Sequence, residues 1–357
     1  MSNFPPLHDT RLHAAGLTGR SLVDDDGQLW LPYDVSRCHS VPHGLRALES
    51  LRPVLCARDA AIAPDWAAFQ TVYLINGMGV ALGDNIVGLS IAWALKCAQP
   101  HLHLTLLQAA HLPPAVAGLH DLCVSWLETR HLPFPLARIP DDALLIDLAD
   151  FAYWPGFADQ SLHAFFARAL GFESDCLDPV TLCNRWLRTL PLPQLQPPWA
   201  ETAYVLLAPH SSSPLRDIPP DVQLRLAEHA WQRYHLPIAS FVPLAHPEVY
   251  DIGPLAPDTA HFLAWIRGAE MLVSTDTAAV HVAAGFDVPT LAGFVCVDPV
   301  LRVATYGHCH ALDLRTPQLD GQQFNESPAQ IALAHDRWRA ALGDVLPWPE
   351  LKTPRSA

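Results

Sequence analysis

Lysine is almost missing from this 357-residue chain: Lys96 and Lys352 are the only two, so nearly all of its positive charge is arginine. That choice selects no function by itself. Basic residues are few as a class, 22 against 36 acidic ones, and a formal net charge of −14 has the wrong sign for a protein held on phosphate backbones by counterion release. General nucleic-acid binding is not expected, and the same balance disfavours broad attachment to anionic membranes. Charge of either sign is low, at 16%, while 50% of the residues are hydrophobic. That apolar surface offsets the entropy of ordering the chain and excludes global disorder. The eight cysteines, at positions 38, 56, 97, 123, 176, 183, 296 and 309, form no Cys-x-x-Cys pair and follow no secretory signal. They read as reduced, mostly buried thiols of a cytoplasmic protein. Unbroken apolar runs are missing too. Pro5, Pro6, His8, Asp9 and Arg11 interrupt the first 16 residues, and Asp276, His281, Asp287 and Pro289 interrupt Met271 to Val297, so neither export nor a transmembrane segment is expected.

Proline, by contrast, is abundant at 34 residues, and Pro191, Pro193, Pro197 and Pro198 punctuate the best linker candidate. The length suits two cores. Residues 1–69 read as a small appended region with strand content. Residues 70–198 and 199–345 read as two successive β-α series, and 346–357 as a tail. In the first series, Val72 to Ile75, Leu102 to Leu107 and Leu144 to Leu148 are expected strands. Asn85 to Ala98 and Leu162 to Leu170 are expected helices, the latter ended by Gly171. In the second, strands are expected at 204–208, 238–244, 271–274 and 290–295. Helices are expected at 221–234, opened in N-cap style by Pro219-Pro220-Asp221, and at 259–268, 278–285 and 328–342. The fold class is α/β, with two Rossmann-like parallel sheets.

Three segments can carry chemistry. The loop Gly77-Met78-Gly79-Val80-Ala81-Leu82-Gly83-Asp84-Asn85 joins a strand to a helix, where glycines permit a tight turn and amides are free. It lacks the third glycine of a dinucleotide fingerprint and a Walker lysine. Asp84 reads either as a helix N-cap or as a general base, with Gly83 and Asn85 beside it. The second segment, His210-Ser211-Ser212-Ser213-Pro214-Leu215-Arg216, follows a strand; its hydroxyls and guanidinium suit phosphate oxygens, or are a serine-rich turn. The third, Ser274-Thr275-Asp276-Thr277-Ala278-Ala279-Val280-His281, ends a strand at a helix start, a fitting place for a pyrophosphate. As pure structure, Asp276 is an N-cap and His281 a half-buried polar residue. His308 and His310, or His101 and His103, have no partner cluster at zinc spacing, so no metal site is expected.

The order and context of these segments resemble glycosyltransferase family 9, the heptosyltransferases. The match runs from Leu272 to Phe294 (Ser274-Thr275-Asp276-Thr277, then His281, Ala283-Ala284 and Val288-Pro289-Thr290), with Leu82-Gly83-Asp84 and Ala94-Leu95-Lys96 ahead of it. The resemblance implies a GT-B fold, two Rossmann-like domains facing a cleft, and inverting transfer of a sugar to a hydroxyl acceptor. The expected donor is ADP-heptose, with no further cofactor. Asp84 is then the catalytic base, and Ser212, Ser213, Arg216, Asp276, Thr277, Ala278 and His281 bind the donor, with Glu248 on its ribose. Ala278 stands where the family has glycine, and Arg216 where it has lysine. The expected acceptor is a lipopolysaccharide precursor or, as in the autotransporter heptosyltransferase subgroup, an adhesin serine. That subgroup also carries an N-terminal extension, and here the exposed-looking Trp30, Pro32 and Tyr33 would grip a polypeptide or sugar or, alternatively, form a packing extension. The implied location is cytoplasmic or peripheral at the inner membrane. The competing readings are a nicotinamide-dependent oxidoreductase built on the Gly77 loop and an inactive sugar-nucleotide-binding module.

Overall fold

A computed structural model of the chain describes residues 17, 19–173, 177–323, 327–343 and 345–351. The first 16 residues, Cys176 and Lys352, all read above, lie outside the described residues. The fold divides into two compact units that part between Asp178 and Pro179. The proline-rich stretch 179–198, counted with the first series from sequence, packs with the second unit.

In the first unit, β4 (Thr71–Ile75), β5 (His103–Gln108), β6 (Glu128–His131) and β8 (Leu144–Asp147) form a parallel sheet in the order β6-β5-β4-β8. The runs Thr-Val-Tyr-Leu-Ile and Leu-Leu-Ile-Asp are almost wholly buried, as expected of strands covered on both faces. Helix Leu82–Ala98 follows β4 and starts one turn earlier than the apolar period suggested. Gly171 ends the helix Leu162–Ala169 region at φ +76°, a conformation in which a Cβ would be strained. The strand β6 was not expected: Glu-Thr-Arg-His is an exposed edge with no apolar pattern.

The N-terminal region does contain strands. β1 (Leu22–Val23), β2 (Gln28–Trp30) and β3 (Arg46–Ala47) make an antiparallel sheet with β7 (Phe134–Pro135), in the order β3-β1-β2-β7. This sheet shares its core with the parallel one: Val23, Leu29, Leu31 and Leu48 pack in one cluster with Ile75, Leu107 and Leu145. Trp30, Pro32 and Tyr33 are not the exposed grip considered above. Pro32 is buried, Trp30 packs against the Leu22 and Val35 cluster while its Nε1–H donates to Asp24 Oδ2 at 2.8 Å, and Tyr33 packs against the shared core.

In the second unit, six parallel strands lie in the order β11-β10-β9-β12-β13-β14. They are β9 (Val205–Ala208), β10 (Ile238–Ser240), β11 (Val249–Asp251), β12 (Met271–Thr275), β13 (Thr290–Phe294) and β14 (Cys309–Asp313). Helices Pro220–Tyr234, Thr259–Gly268, Ala278–Gly285 and Pro328–Ala341 accompany them. Pro219 is the N-cap of the first of these helices, and Pro220 is its first residue, one position before the expected start. β10 ends at Ser240 rather than near Leu244, and Pro243, which has no N–H to donate to a ladder, forbids its continuation. Both units are thus Rossmann-like parallel sheets, in agreement with the expected fold class. Among the described residues no helix is long and apolar enough to cross a membrane.

Candidate functional site

Each sheet has one place where strand order reverses. In the first unit the chain goes from β4 outward to β5 and β6, then returns to place β8 on the other side of β4; in the second, β9 leads to β10 and β11, and β12 lies on its opposite side. In open parallel sheets the crevice outside the carboxyl ends of the strands at such a reversal is where ligands bind. The loop carrying Asp84 follows β4, and the segments with Ser212, Ser213, Arg216, Asp276 and Thr277 follow β9 and β12.

The second-unit crevice is built by side-chain bonds between these two loops. The hydroxyl of Ser274 donates to Ala208 O at 2.9 Å, and that of Thr275 donates to the carbonyls of Arg216 and Gly293. Arg216 donates from one NH group to Asp276 O at 2.8 Å and Asp276 Oδ2 at 3.2 Å, and from the other to Ser212 Oγ at 2.7 Å. Two polar atoms here have no hydrogen-bond partner among the described residues: Ser213 Oγ and Arg216 Nε, both buried. Buried polar groups are nearly always satisfied, and leaving one unmade costs about 1–3 kcal/mol. Beside them Thr277 is the N-cap of helix Ala278–Gly285, and its hydroxyl makes no capping bond. The first-turn amides of a helix have no intrahelical acceptor and sit at the positive end of its dipole. The arrangement gathers an arginine, hydroxyls and helix amides, groups whose chemistry suits an anion.

Ala278 fits this role without strain, since the residue is helical rather than at positive φ, the region that would demand glycine. His281 is 4% exposed, and its Nδ1 lies 2.7 Å from the Tyr306 hydroxyl, to which Asn184 also donates. Burial holds the Tyr306 phenol above its ordinary pKa, so it stays protonated. Glu248 falls elsewhere. It precedes Val249, which pairs with Ile238 at the start of β10, so it sits at the amino edge of the sheet, while the anion site is at the carboxyl edge. The acid at the carboxyl edge is Asp251, the last residue of β11, whose Oδ1 accepts the Gly253 N–H at 2.9 Å. Sequence reading missed β11 because three residues carry too short a pattern.

In the first unit, Asp84 is the third residue of its helix, not its cap; Ala81 holds the N-cap position and has no side chain to donate or accept there. Gly83 and Asp84 are half-buried, Asn85 fully buried. Gly79 has φ +70°, and a Cβ there would lie 2.8 Å from the Phe151 ring, so the loop requires glycine at that turn. Asn85 Nδ2 shares its hydrogens among the carbonyls of Met78, Gly79 and Ala81 at 2.9–3.1 Å, closing the loop on itself. Asp147, the last residue of β8, accepts from Ser21 N and Oγ and from Ala149 N, and past the strand Asp150, at φ +52°, accepts from Gly19 N. Burial raises the pKa of both, that of Asp150 to about 6, with the Asp147 charge adding to the effect.

His310 Nδ1 donates to Pro347 O at 2.7 Å, and among the described residues no three His, Cys, Asp or Glu side chains gather to hold an ion.

No family model and no curated protein matches the chain. Solved structures similar to it include an E. coli ADP-heptose lipopolysaccharide heptosyltransferase II, at 12% identity over 76% of this chain and 98% of that one, with a TM-score of 0.49. Another is the iron-containing dodecameric glycosyltransferase TibC from enterotoxigenic E. coli, at 9% identity over 88% and 81%, with a TM-score of 0.47. A glycosyl transferase family 9 protein from Veillonella parvula is 13% identical over 79% and 97%, with a TM-score of 0.46. At these identities the function has to be argued from side chains.

Proposed function

We propose that the chain is a glycosyltransferase of the family 9 type, moving a sugar from a nucleoside diphosphate donor to a hydroxyl acceptor, with ADP-heptose as the donor of first choice. The observation that carries this reading is the network in which Arg216 bonds Asp276 and Ser212 next to the Thr277 start of helix Ala278–Gly285. The helix dipole and guanidinium favour the charge of a diphosphate there. The second unit then holds the donor: Ser212, Ser213, Arg216, Thr277 and the Ala278 amide take the diphosphate, Asp276 orients Arg216, and His281 lies one turn on. Asp251, at the carboxyl edge, takes the ribose role first assigned to Glu248.

In the reaction the acceptor oxygen bonds to the anomeric carbon as the bond from that carbon to the diphosphate oxygen breaks. The electron pair leaves on ADP, stabilised by the arginine and amides, and the acceptor proton passes to the Asp84 carboxylate. A lipopolysaccharide precursor is the acceptor favoured over a protein serine, because, of the side chains first offered as a polypeptide grip, Pro32 is buried and Trp30 and Tyr33 are half-buried against the N-terminal clusters.

A thermal-shift series with ADP, ADP-heptose, UDP-glucose and NADH, followed by ADP-release assays with a lipopolysaccharide precursor, tests the reading. ADP and ADP-heptose are expected to raise the melting temperature and ADP-heptose to be consumed. Stabilisation by NADH alone would replace the transferase reading with the oxidoreductase one. Binding of ADP-heptose with no turnover on the lipopolysaccharide precursor or on a serine-rich adhesin fragment would leave a binding module.

A further inference from the structure

Behind the Asp84 loop runs a buried chain of polar side chains. Asn85, in the first turn of its helix, points its Oδ1 at His120 Nε2, 2.8 Å away. His120, on helix Pro114–Asp121, places its Nδ1 against Gln108 Oε1 at the end of β5. Gln108 Nε2 in turn lies 3.1 Å from His131 Nε2 at the end of β6. Asn85, His120 and Gln108 are at most 4% exposed, whereas His131 is exposed. The four residues come from separate elements, and together they link the surface to the loop that carries Asp84.

The directions of these bonds follow from one end. Asn85 Nδ2 faces three carbonyls, so its Oδ1 must be the atom facing His120, and His120 Nε2 must carry the hydrogen. Burial, with His131 nearby, pushes the His120 pKa down to about 4, so the ring is neutral and Nδ1 is a bare acceptor. A bare Nδ1 cannot bond the Gln108 oxygen that faces it, so the Gln108 amide oxygen and nitrogen are assigned exchanged, with the NH2 toward Nδ1 and the oxygen toward a His131 N–H, the assignment that satisfies every member.

We propose that His120 is a positioning residue for the Asp84 loop. As the Nε2–H tautomer, oriented by Gln108, it holds the Asn85 amide against the loop carbonyls and so sets where the Asp84 carboxylate stands. The inference rests on the transferase reading for its catalytic consequence, but its structural part is testable without turnover.

Nitrogen-15 NMR on histidine-labelled full-length protein, with the His120 signal identified by its loss in His120→Gln, is expected to show a neutral Nε2–H ring that does not titrate between pH 5.5 and 8. An Nδ1–H tautomer, or titration in that range, would overturn the proposal. Amide hydrogen exchange in His120→Phe is expected to speed up at least tenfold in residues 77–84 with the second unit unchanged; protection equal to wild type would overturn it. With ADP-heptose as donor, His120→Phe should lower kcat at least tenfold with donor KM within twofold, and His120→Gln, which keeps an N–H donor for Asn85, should recover most of it. Equal kcat losses in the two variants would reduce His120 to a packing role. If the wild-type protein turned over no ADP-heptose, the transferase reading would fail while the tautomer and exchange results still stood.

Discussion

The residues of the anion site make opposite demands on stability and on binding. Ser213 Oγ is buried with no partner, so Ser213→Ala deletes an unsatisfied group and is expected to leave the melting temperature unchanged or raise it, by up to about 1 kcal/mol of stability. The same change should weaken ADP several-fold, read by titration calorimetry. Arg216→Ala removes a charged donor and should weaken ADP by about 1.5–3 kcal/mol, with much less effect on adenosine. It also strips the partner from Asp276, which is 5% exposed, so a loss of stability accompanies it. Equal losses for ADP and adenosine would take Arg216 out of the phosphate site. For Asp84 the expected outcome is the reverse: Asp84→Asn keeps size but cannot take a proton, so turnover of ADP-heptose should vanish while ADP affinity stays within a few-fold. Near-normal turnover would leave Asp84 with only the favourable charge interaction of a first-turn carboxylate with the helix dipole.

Among the elements, the carboxyl end of β8 is where pH acts. Asp150 is buried beside the Asp147 carboxylate, and its folded pKa of about 6 lies above the ordinary carboxylate value. The folded state therefore binds this proton more tightly than the unfolded chain does. The group's contribution to stability is complete below about pH 4 and is lost as pH rises through about 6. Asp150→Asn keeps an oxygen for the Gly19 N–H and removes the titration. The variant is expected to gain about 1–2 kcal/mol over wild type at pH 7.5 after allowance for solvent screening, and nothing at pH 4. Paired urea melts at the two pH values check this. A gain of equal size at both would mean that Asp150 acts through packing rather than charge.

For the molecule as a whole, the N-terminal region behaves as part of the first unit's core. Leu22, Val23, Leu29, Leu31, Val35, Leu48 and Ala57 are all buried, and Leu55 exchanges backbone bonds with Leu145 and Asp147. Removing residues 1–69 would expose apolar side chains worth about 1.5–3 kcal/mol each, against a net stability of about 5–15 kcal/mol for a domain. The protein comprising residues 70–357 is expected to lose the first unit's cooperative transition in a calorimetric scan. A melt with both transitions intact would make the region an independent appendage. What the sequence by itself determined about this protein is the alternation of apolar strand and amphipathic helix, which local periodicity encodes, and the three loops rich in small and polar residues where strand gives way to helix. It also held the resemblance carried by Ser274 to His281. Tertiary structure alone decided the rest, because register and strand order are long-range. It moved Glu248 to the edge away from the anion site and put the Ser212 and Asp276 segments side by side at a strand reversal. It also joined His120 to Asn85 across 35 positions. A buried polar chain of that kind has no sequence period, since each member is satisfied by a residue from a different element.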